Sequence, residues 1–139
     1  MKKKLLFLCT GNSCRSQMAE GFAKELLSKD LHIESAGTEA HGLNPYTIKT
    51  MNEINIDISY HKSKKINLND IDKFDLVITL CGDAKDNCPI LDTKKHLHWD
   101  IPDPANFKGN NTHTKQKYSE VRELILKKIK IFKQQEIFE

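Results

Sequence analysis

The stretch KKLLFLCTGNSCRSQMAEGFAKELL, Lys3–Leu27, decides the fold. Lys3–Leu8 ends in the unbroken apolar run Leu5-Leu6-Phe7-Leu8, the pattern of a short buried strand. From Ser16 to Leu27, apolar Met18, Ala19, Phe22, Ala23, Leu26 and Leu27 recur at helical spacing, which predicts an amphipathic helix. Between them lies Cys9-Thr10-Gly11-Asn12-Ser13-Cys14-Arg15-Ser16, a tight loop joining strand to helix.

The same alternation continues outward. Leu31–Ala36 reads as a second strand stopped by Gly37, and Pro45–Asn55 as a helix with Pro in its first turn. Asp75–Leu80 is the clearest central strand, with Leu76, Val77, Ile78 and Leu80 partly β-branched. Lys95–Trp99 is a weaker fourth strand. Tyr118, Val121, Ile125, Ile129 and Phe132 are spaced 3, 4, 4 and 3, which predicts a helix over Tyr118–Phe132. Strands alternating with helices imply crossover connections: an α/β fold, one four-stranded parallel sheet with helices on both faces. Ligands of such sheets sit beyond the carboxyl ends of strands. The residues after Leu8 and after Leu80 are therefore where chemistry is expected, and each position carries a cysteine.

Composition narrows the classes. A chain of 139 residues is near the usual size of one domain, so residues 1–139 are expected to form a single catalytic domain. Hydrophobic residues at 38% and charged residues at 29%, with six Gly and four Pro, exclude collagen-like and disordered chains. A net charge of +3 is too small to imply a nucleic-acid partner. Lys2-Lys3-Lys4 followed by apolar residues imitates a secretory leader, but the apolar run is shorter than the roughly 7–15 residues required. No run approaches the ~20 apolar residues that span a bilayer. The expectation is a soluble cytoplasmic protein without a membrane partner, whose four cysteines are chemical rather than disulfide staples.

The first cysteine loop suits a tetrahedral oxyanion. Backbone N–H groups of Thr10, Gly11, Asn12, Ser13, Cys14, Arg15 and Ser16 can converge on it, and the helix N-terminus adds its positive end. Arg15 can clamp two anion oxygens with its planar fork. The same field favours a thiolate at Cys9, making it a nucleophile. Ser16 can hydrogen-bond that thiolate or cap the helix. Cys14, late in the loop, reads as a small packing thiol.

A second pair lies in Cys81-Gly82-Asp83-Ala84-Lys85-Asp86-Asn87-Cys88-Pro89. Asp83 can open a short helix that Pro89 ends. Seven helical steps separate Cα atoms by about 10 Å, whereas a disulfide needs less than about 7 Å. Bonding Cys81 to Cys88 would unwind such a helix, which is the behaviour of a redox switch. Two other readings stand beside it: a pair of buried structural thiols, and a zinc site from Cys81, Cys88, His96 and His98. The cysteine spacing lies outside the usual zinc patterns, so no metal is expected. His32, His41, His61 and His113 form no pattern. In His98-Trp99-Asp100-Ile101-Pro102-Asp103-Pro104 the prolines make a rigid turn, and Asp103 is the candidate general acid.

Taken together these residues resemble the thioredoxin-coupled arsenate reductases. The likeness rests on Cys9 to Gly21 first. Ser35-Ala36-Gly37, His41-Gly42-Leu43-Asn44-Pro45, Ile56-Asp57-Ile58-Ser59, Leu80-Cys81-Gly82-Asp83-Ala84, Cys88-Pro89, His98-Trp99 and Asp103-Pro104-Ala105 continue it. It runs to about residue 106, and the last helix fits by position. The resemblance implies the low-molecular-weight protein tyrosine phosphatase fold and a thiol relay. Cys9 attacks arsenate held by the loop and Arg15, with Asp103 protonating the departing oxygen. Cys81 then attacks Cys9 and arsenite leaves. Cys88 resolves the Cys9–Cys81 disulfide, and thioredoxin, the implied partner of a monomeric enzyme, reduces Cys81–Cys88.

A phosphatase on the same fold is the competing enzyme reading. Against it, Gln17 stands where those enzymes usually have Pro, Ala105-Asn106 replaces their ring-gripping aromatics, and they need no Cys81 or Cys88. A non-catalytic oxyanion or redox sensor is a third reading. The chain also departs from the arsenate reductases. Asp100 and Pro102 flank the acid where Gly and Asp are usual, and Lys62-Ser63-Lys64-Lys65 is unusually basic. Some relatives bind potassium through residues corresponding to Asn12, Glu20, Ser35 and an Asp; that Asp position falls at Lys64. An ammonium there disfavours a cation, and Lys64 is expected either to take the cation's place against Glu20 and Ser35 or to point into solvent.

Overall fold

The computed structural model describes residues 3–81, 96–106 and 109–135. Cys88, the short helix expected between Asp83 and Pro89, and Lys95 lie outside the described residues. Four strands, β1 (Lys3–Cys9), β2 (Leu31–Gly37), β3 (Leu76–Thr79) and β4 (His96–His98), form one parallel sheet in the order β2-β1-β3-β4. Three α-helices accompany it among the described residues: α1 (Arg15–Leu26), α2 (Pro45–Asn52) and α3 (Asn111–Gln134). Leu68–Lys73 and Pro104–Asn106 are single 3-10 segments.

Register assigns the two faces. Phe7 pairs with Ser35 and Ile78, while Leu6 pairs with Glu34 and Val77. On the Phe7 face, Ser35 meets Glu20 of α1, Phe7 packs on Trp99, and Trp99 packs on Phe132 of α3. On the Leu6 face, Leu6 and Ala36 lie under the segment carrying the 3-10 helix and Phe74. Helical segments thus cover both faces, as the alternating pattern implies. Leu5, Leu6, Phe7 and Leu8 are essentially solvent-free. Each contributes on the order of 1.5–3 kcal/mol of burial, and Phe7→Ala would cost about 3–5 kcal/mol.

Boundaries moved where caps, not apolar periods, set them. α1 ends at Leu26 because Leu27 turns extended (φ −93°, ψ 170°). α2 stops at Asn52, three residues short of the expected end, and the chain turns through Asn55 at φ 64°. α3 starts seven residues before Tyr118. Its first two turns are largely exposed and carry no apolar stripe, so only Asn110, whose side chain accepts the His113 N–H at 2.9 Å, marks the start. The Leu68–Lys73 turn is likewise capped by Asn67 rather than announced by periodicity.

Candidate active site

β1 and β3 deliver their cysteines to the same end of the sheet. Leu8 pairs with Thr79, and the Leu80 N–H donates to the Leu8 carbonyl at 2.9 Å, so Cys9 falls level with Leu80 and Cys81 level with Thr10 at the same end of the sheet. Both are buried thiols. Thr10, next to Cys9, sets its hydroxyl 3.2 Å from Cys81 Sγ.

The loop between them and α1 is held from outside. The carbonyl of Cys9 accepts from Thr38 N–H, that of Thr10 from Glu39, that of Gly11 from His41, and that of Ser13 from Asn44, at 2.8–3.0 Å. The Asn12 carbonyl accepts from Gln17 Nε2 at 3.1 Å. In a trans peptide the N–H opposes the preceding C=O. Outward carbonyls therefore turn the amides of residues 10–14 inward, toward the concave side. No side chain caps α1 at Cys14, so its first N–H groups face the same space. Gly37 walls the loop: a Cβ there would lie 2.5 Å from the Thr10 oxygen and 2.8 Å from the Asn12 nitrogen.

A hydrogen-bond chain of fixed polarity runs behind the loop. The Lys64 N–H can only donate, and it meets Asn12 Oδ1 at 2.9 Å. Asn12 Nδ2 therefore faces Ser16 Oγ at 2.8 Å and Ser35 Oγ at 3.0 Å. Ser35 passes its own proton to Glu20 Oε1 at 2.5 Å. Ser16, having accepted from Asn12, keeps a proton that it can direct to Cys9 Sγ at 2.9 Å. Gln17 Nε2 serves the Asn12 oxygens and the Lys62 carbonyl, so Gln17 Oε1 accepts from His61 Nδ1 at 2.9 Å. His61 then carries its proton on Nδ1. Its Nε2 is buried with no hydrogen-bond partner among the described residues, 3.6 Å from Glu20 Oε2. Burial pulls the His61 pKa below its ordinary value, outweighing the upward pull of Glu20. Asn12 itself sits at φ 49°, a left-handed conformation that Asn tolerates.

The guanidinium of Arg15 leaves α1 across the mouth. It donates to the Ile101 carbonyl at 3.1 Å and lies 3.5 Å from Asp103 Oδ2. Asp103 is 28% exposed, and its other oxygen accepts the Ala105 N–H at 3.0 Å, an Asx turn that opens the Pro104–Asn106 segment. Cys14 is set apart from this chemistry: burial pushes its thiol up to about 12, in keeping with a packing role.

The structure thus gathers Cys9, Arg15, Cys81 and Asp103 around one loop. His96 and His98 share the Thr79 hydroxyl, at 2.9 and 2.8 Å, on the Leu6 face. Among the described residues no three His, Cys, Asp or Glu side chains converge as metal ligands. The supporting roles of Gln17 and His61 are what sequence reasoning missed; Ser35 entered it only as a residue of the potassium position. His61 falls in no spacing pattern, and only the tertiary contact with Gln17 reveals it.

At the potassium position one of the two expectations fails. The Lys64 ammonium reaches neither Glu20 nor Ser35; it turns to the exposed surface, as the other expectation has it, and pairs there with Glu34. The backbone N–H of Lys64 is the group that faces Asn12, so the side chain departs elsewhere. Partial burial raises the Glu34 carboxyl, but Lys64 and His32 outweigh it and hold its pKa below the ordinary value. The ammonium at Glu20 is Lys24, 2.5 Å from Oε2. These residues do not fit a metal cation: the carboxylate is already paired, and position 64 supplies a donor where an oxygen ligand is needed.

Across residues 4–137 the chain matches the low molecular weight phosphotyrosine protein phosphatases. It belongs to that family. Within it, the chain is 48% identical to an arsenate reductase of Oceanobacillus iheyensis, over 94% of this chain and 95% of the relative. It is also 48% identical to arsenate reductase 1 of Staphylococcus haemolyticus, over 96% of each. A solved structure described as an arsenate reductase in the phosphate binding state is 32% identical, with a TM-score of 0.75, covering 96% of this chain and 98% of that one. The family fold and the parallel sheet of this chain agree.

Proposed function

We propose that the protein reduces arsenate to arsenite by a relay of Cys9, Cys81 and Cys88, recharged by thioredoxin. Relatives that carry the name arsenate reductase over nearly their full length support the activity. The observation that supports the relay is that β1 and β3 bring Cys9 and Cys81 to one end of the sheet, with Cys81 Sγ 3.2 Å from the hydroxyl of Thr10, the residue after Cys9.

The loop amides and Arg15 hold the arsenate oxygens. Arg15 exchanges its carbonyl partner for the anion, whose charge offers stronger hydrogen bonds. The Cys9 thiolate attacks arsenic, an S–As bond forms, and an oxygen leaves as water with a proton from Asp103. Cys81 attacks Cys9 sulfur as a thiolate. The S–S bond forms and the S–As electron pair stays on arsenic, which departs as arsenite. Cys88 then displaces Cys9 from Cys81, and the Cys81–Cys88 disulfide takes two electrons from the thioredoxin dithiol. Such a cycle belongs in the reducing cytoplasm. No helix among the described residues is long and apolar enough to cross a membrane.

The deciding experiment measures arsenate-dependent NADPH oxidation with thioredoxin and thioredoxin reductase, beside phosphate ester hydrolysis by the same preparation. Arsenate turnover that exceeds ester hydrolysis is expected. Disulfide mapping after one addition of arsenate to Cys88→Ser is expected to find Cys9–Cys81. Multiple turnover by that variant with thioredoxin would overturn the three-thiol relay.

A further inference from the structure

We propose a second anion site, on the Leu6 face of the sheet, for a small organic dianion such as a phosphate monoester or phosphonate. A cavity of about 280 Å³ lies there beneath the segment from Lys64 to Phe74, close to the lower limit of small-molecule sites. It is separate from the catalytic loop and independent of the arsenate reading.

Charge selects the ligand class. Lys4, Lys64, Lys65 and Lys73 surround the cavity, with only Glu34 and Asp70 to oppose them. Lys64 pairs with Glu34, and Lys73 with Asp70 at 2.7 Å, so both carboxylates are matched. The ammonium groups of Lys4 and Lys65 have no ion-pair partner among the described residues. Two positive charges are therefore in excess. Surface lysines alone bind weakly, because water and salt screen them. The cavity adds an apolar wall at Ile66 and Phe74, while Leu6 and Ala36 close it from below and are themselves already solvent-free. An anion with a carbon body covers that surface while its charge meets the lysines; a bare inorganic anion gains nothing from it.

The cavity wall is also one peptide away from the catalytic loop. The Lys64 N–H holds Asn12, the Lys64 carbonyl accepts from Gly37 N–H at 2.9 Å, and the Gly37 carbonyl accepts from Ile66 N–H at 2.8 Å. Lys64 to Ile66 is thus tied to the loop, and the amides of residues 70–74 are the ones that report cavity occupancy separately from those of residues 9–16.

The test titrates phenylphosphonate, a non-hydrolysable dianion with a ring, into the reduced full chain and follows amide shifts by NMR. Two sets of shifts are expected, one on residues 9–16 and one on residues 70–74, each saturating on its own curve. In Lys4→Gln/Lys65→Gln the second set should need about tenfold more ligand. The loop set, the arsenate kinetics and the melting temperature should stay unchanged. If the double variant melts early, Lys4→Gln and Lys65→Gln singly should each weaken the second set. Inorganic sulfate should move the loop set and saturate the second about tenfold less readily than phenylphosphonate. Shifts confined to residues 9–16, a second set indifferent to the lysines, or equal saturation by sulfate would overturn the proposal.

Discussion

The Cys9–Ser16 loop and the turn carrying Asp103 face the same anion space but are built differently. Five loop carbonyls are taken up by an outer shell, and Asn12 and Ser16 are fully buried. Asp103 is partly exposed, anchored by one Asx bond and a 3.5 Å approach to Arg15. Binding is preorganised, so the field is in place before the anion arrives. Asp103 has fewer anchors, which suits the proposed role of a general acid that must meet a departing oxygen. The comparison predicts that loop changes strike harder than changes at the turn.

The largest effect is expected from Cys9→Ser, which should reduce arsenate turnover to background, since a serine hydroxyl is scarcely ionised and cannot enter a disulfide. Next, Asp103→Asn should lower kcat by about 10²-fold while arsenate binding changes little. Steady-state kinetics distinguish the two, and an Asp103→Asn loss as deep as that of Cys9→Ser would break the contrast between the loop and the less anchored acid.

Gln17→Ala should cost about 1–3 kcal/mol of stability, because it strips partners from buried Asn12 and His61. It should also slow alkylation of Cys9 by iodoacetamide, a readout that a purely structural role would leave alone. His61 sharpens the same point through pH. Its pKa is depressed in the folded state, so its neutral form contributes stability above the ordinary value near 6.5. That stability is lost as pH falls through the lower folded value. Denaturant melts of the protein and of His61→Gln from about one unit above to about one unit below that value should show a shallower decline in the variant.

Thiol burial gives a finer contrast inside the loop. With its pKa near 12, Cys14 should remain unmodified at pH 8, about four units lower, while Cys9 is alkylated; mass spectrometry of digests checks this. The smallest effect concerns salt. Exchanging potassium for sodium at equal ionic strength should leave arsenate kinetics unchanged, because Lys24 already pairs with Glu20. A marked potassium activation would refute the assignment of that charge to Lys24.

What the residues alone determined follows local rules. A four-residue apolar run makes β1 a strand, the apolar stripe from Met18 to Leu27 makes α1 a helix, and a Cys-to-Arg loop between them is the proposed anion cradle. Each depends on neighbours within a few positions, so periodicity and loop chemistry expose it. What only the tertiary structure decided involves partners distant in the chain. Lys64 meets Glu34 rather than Glu20 because its N–H is drawn to Asn12. His61, without pattern in the sequence, reaches Cys9 through Gln17, Asn12 and Ser16, and α3 begins at a cap rather than at its apolar stripe. A side chain's charge and donors are written in its identity. Which of several compatible partners it takes depends on the path of the backbone, and that is set by packing of the whole sheet.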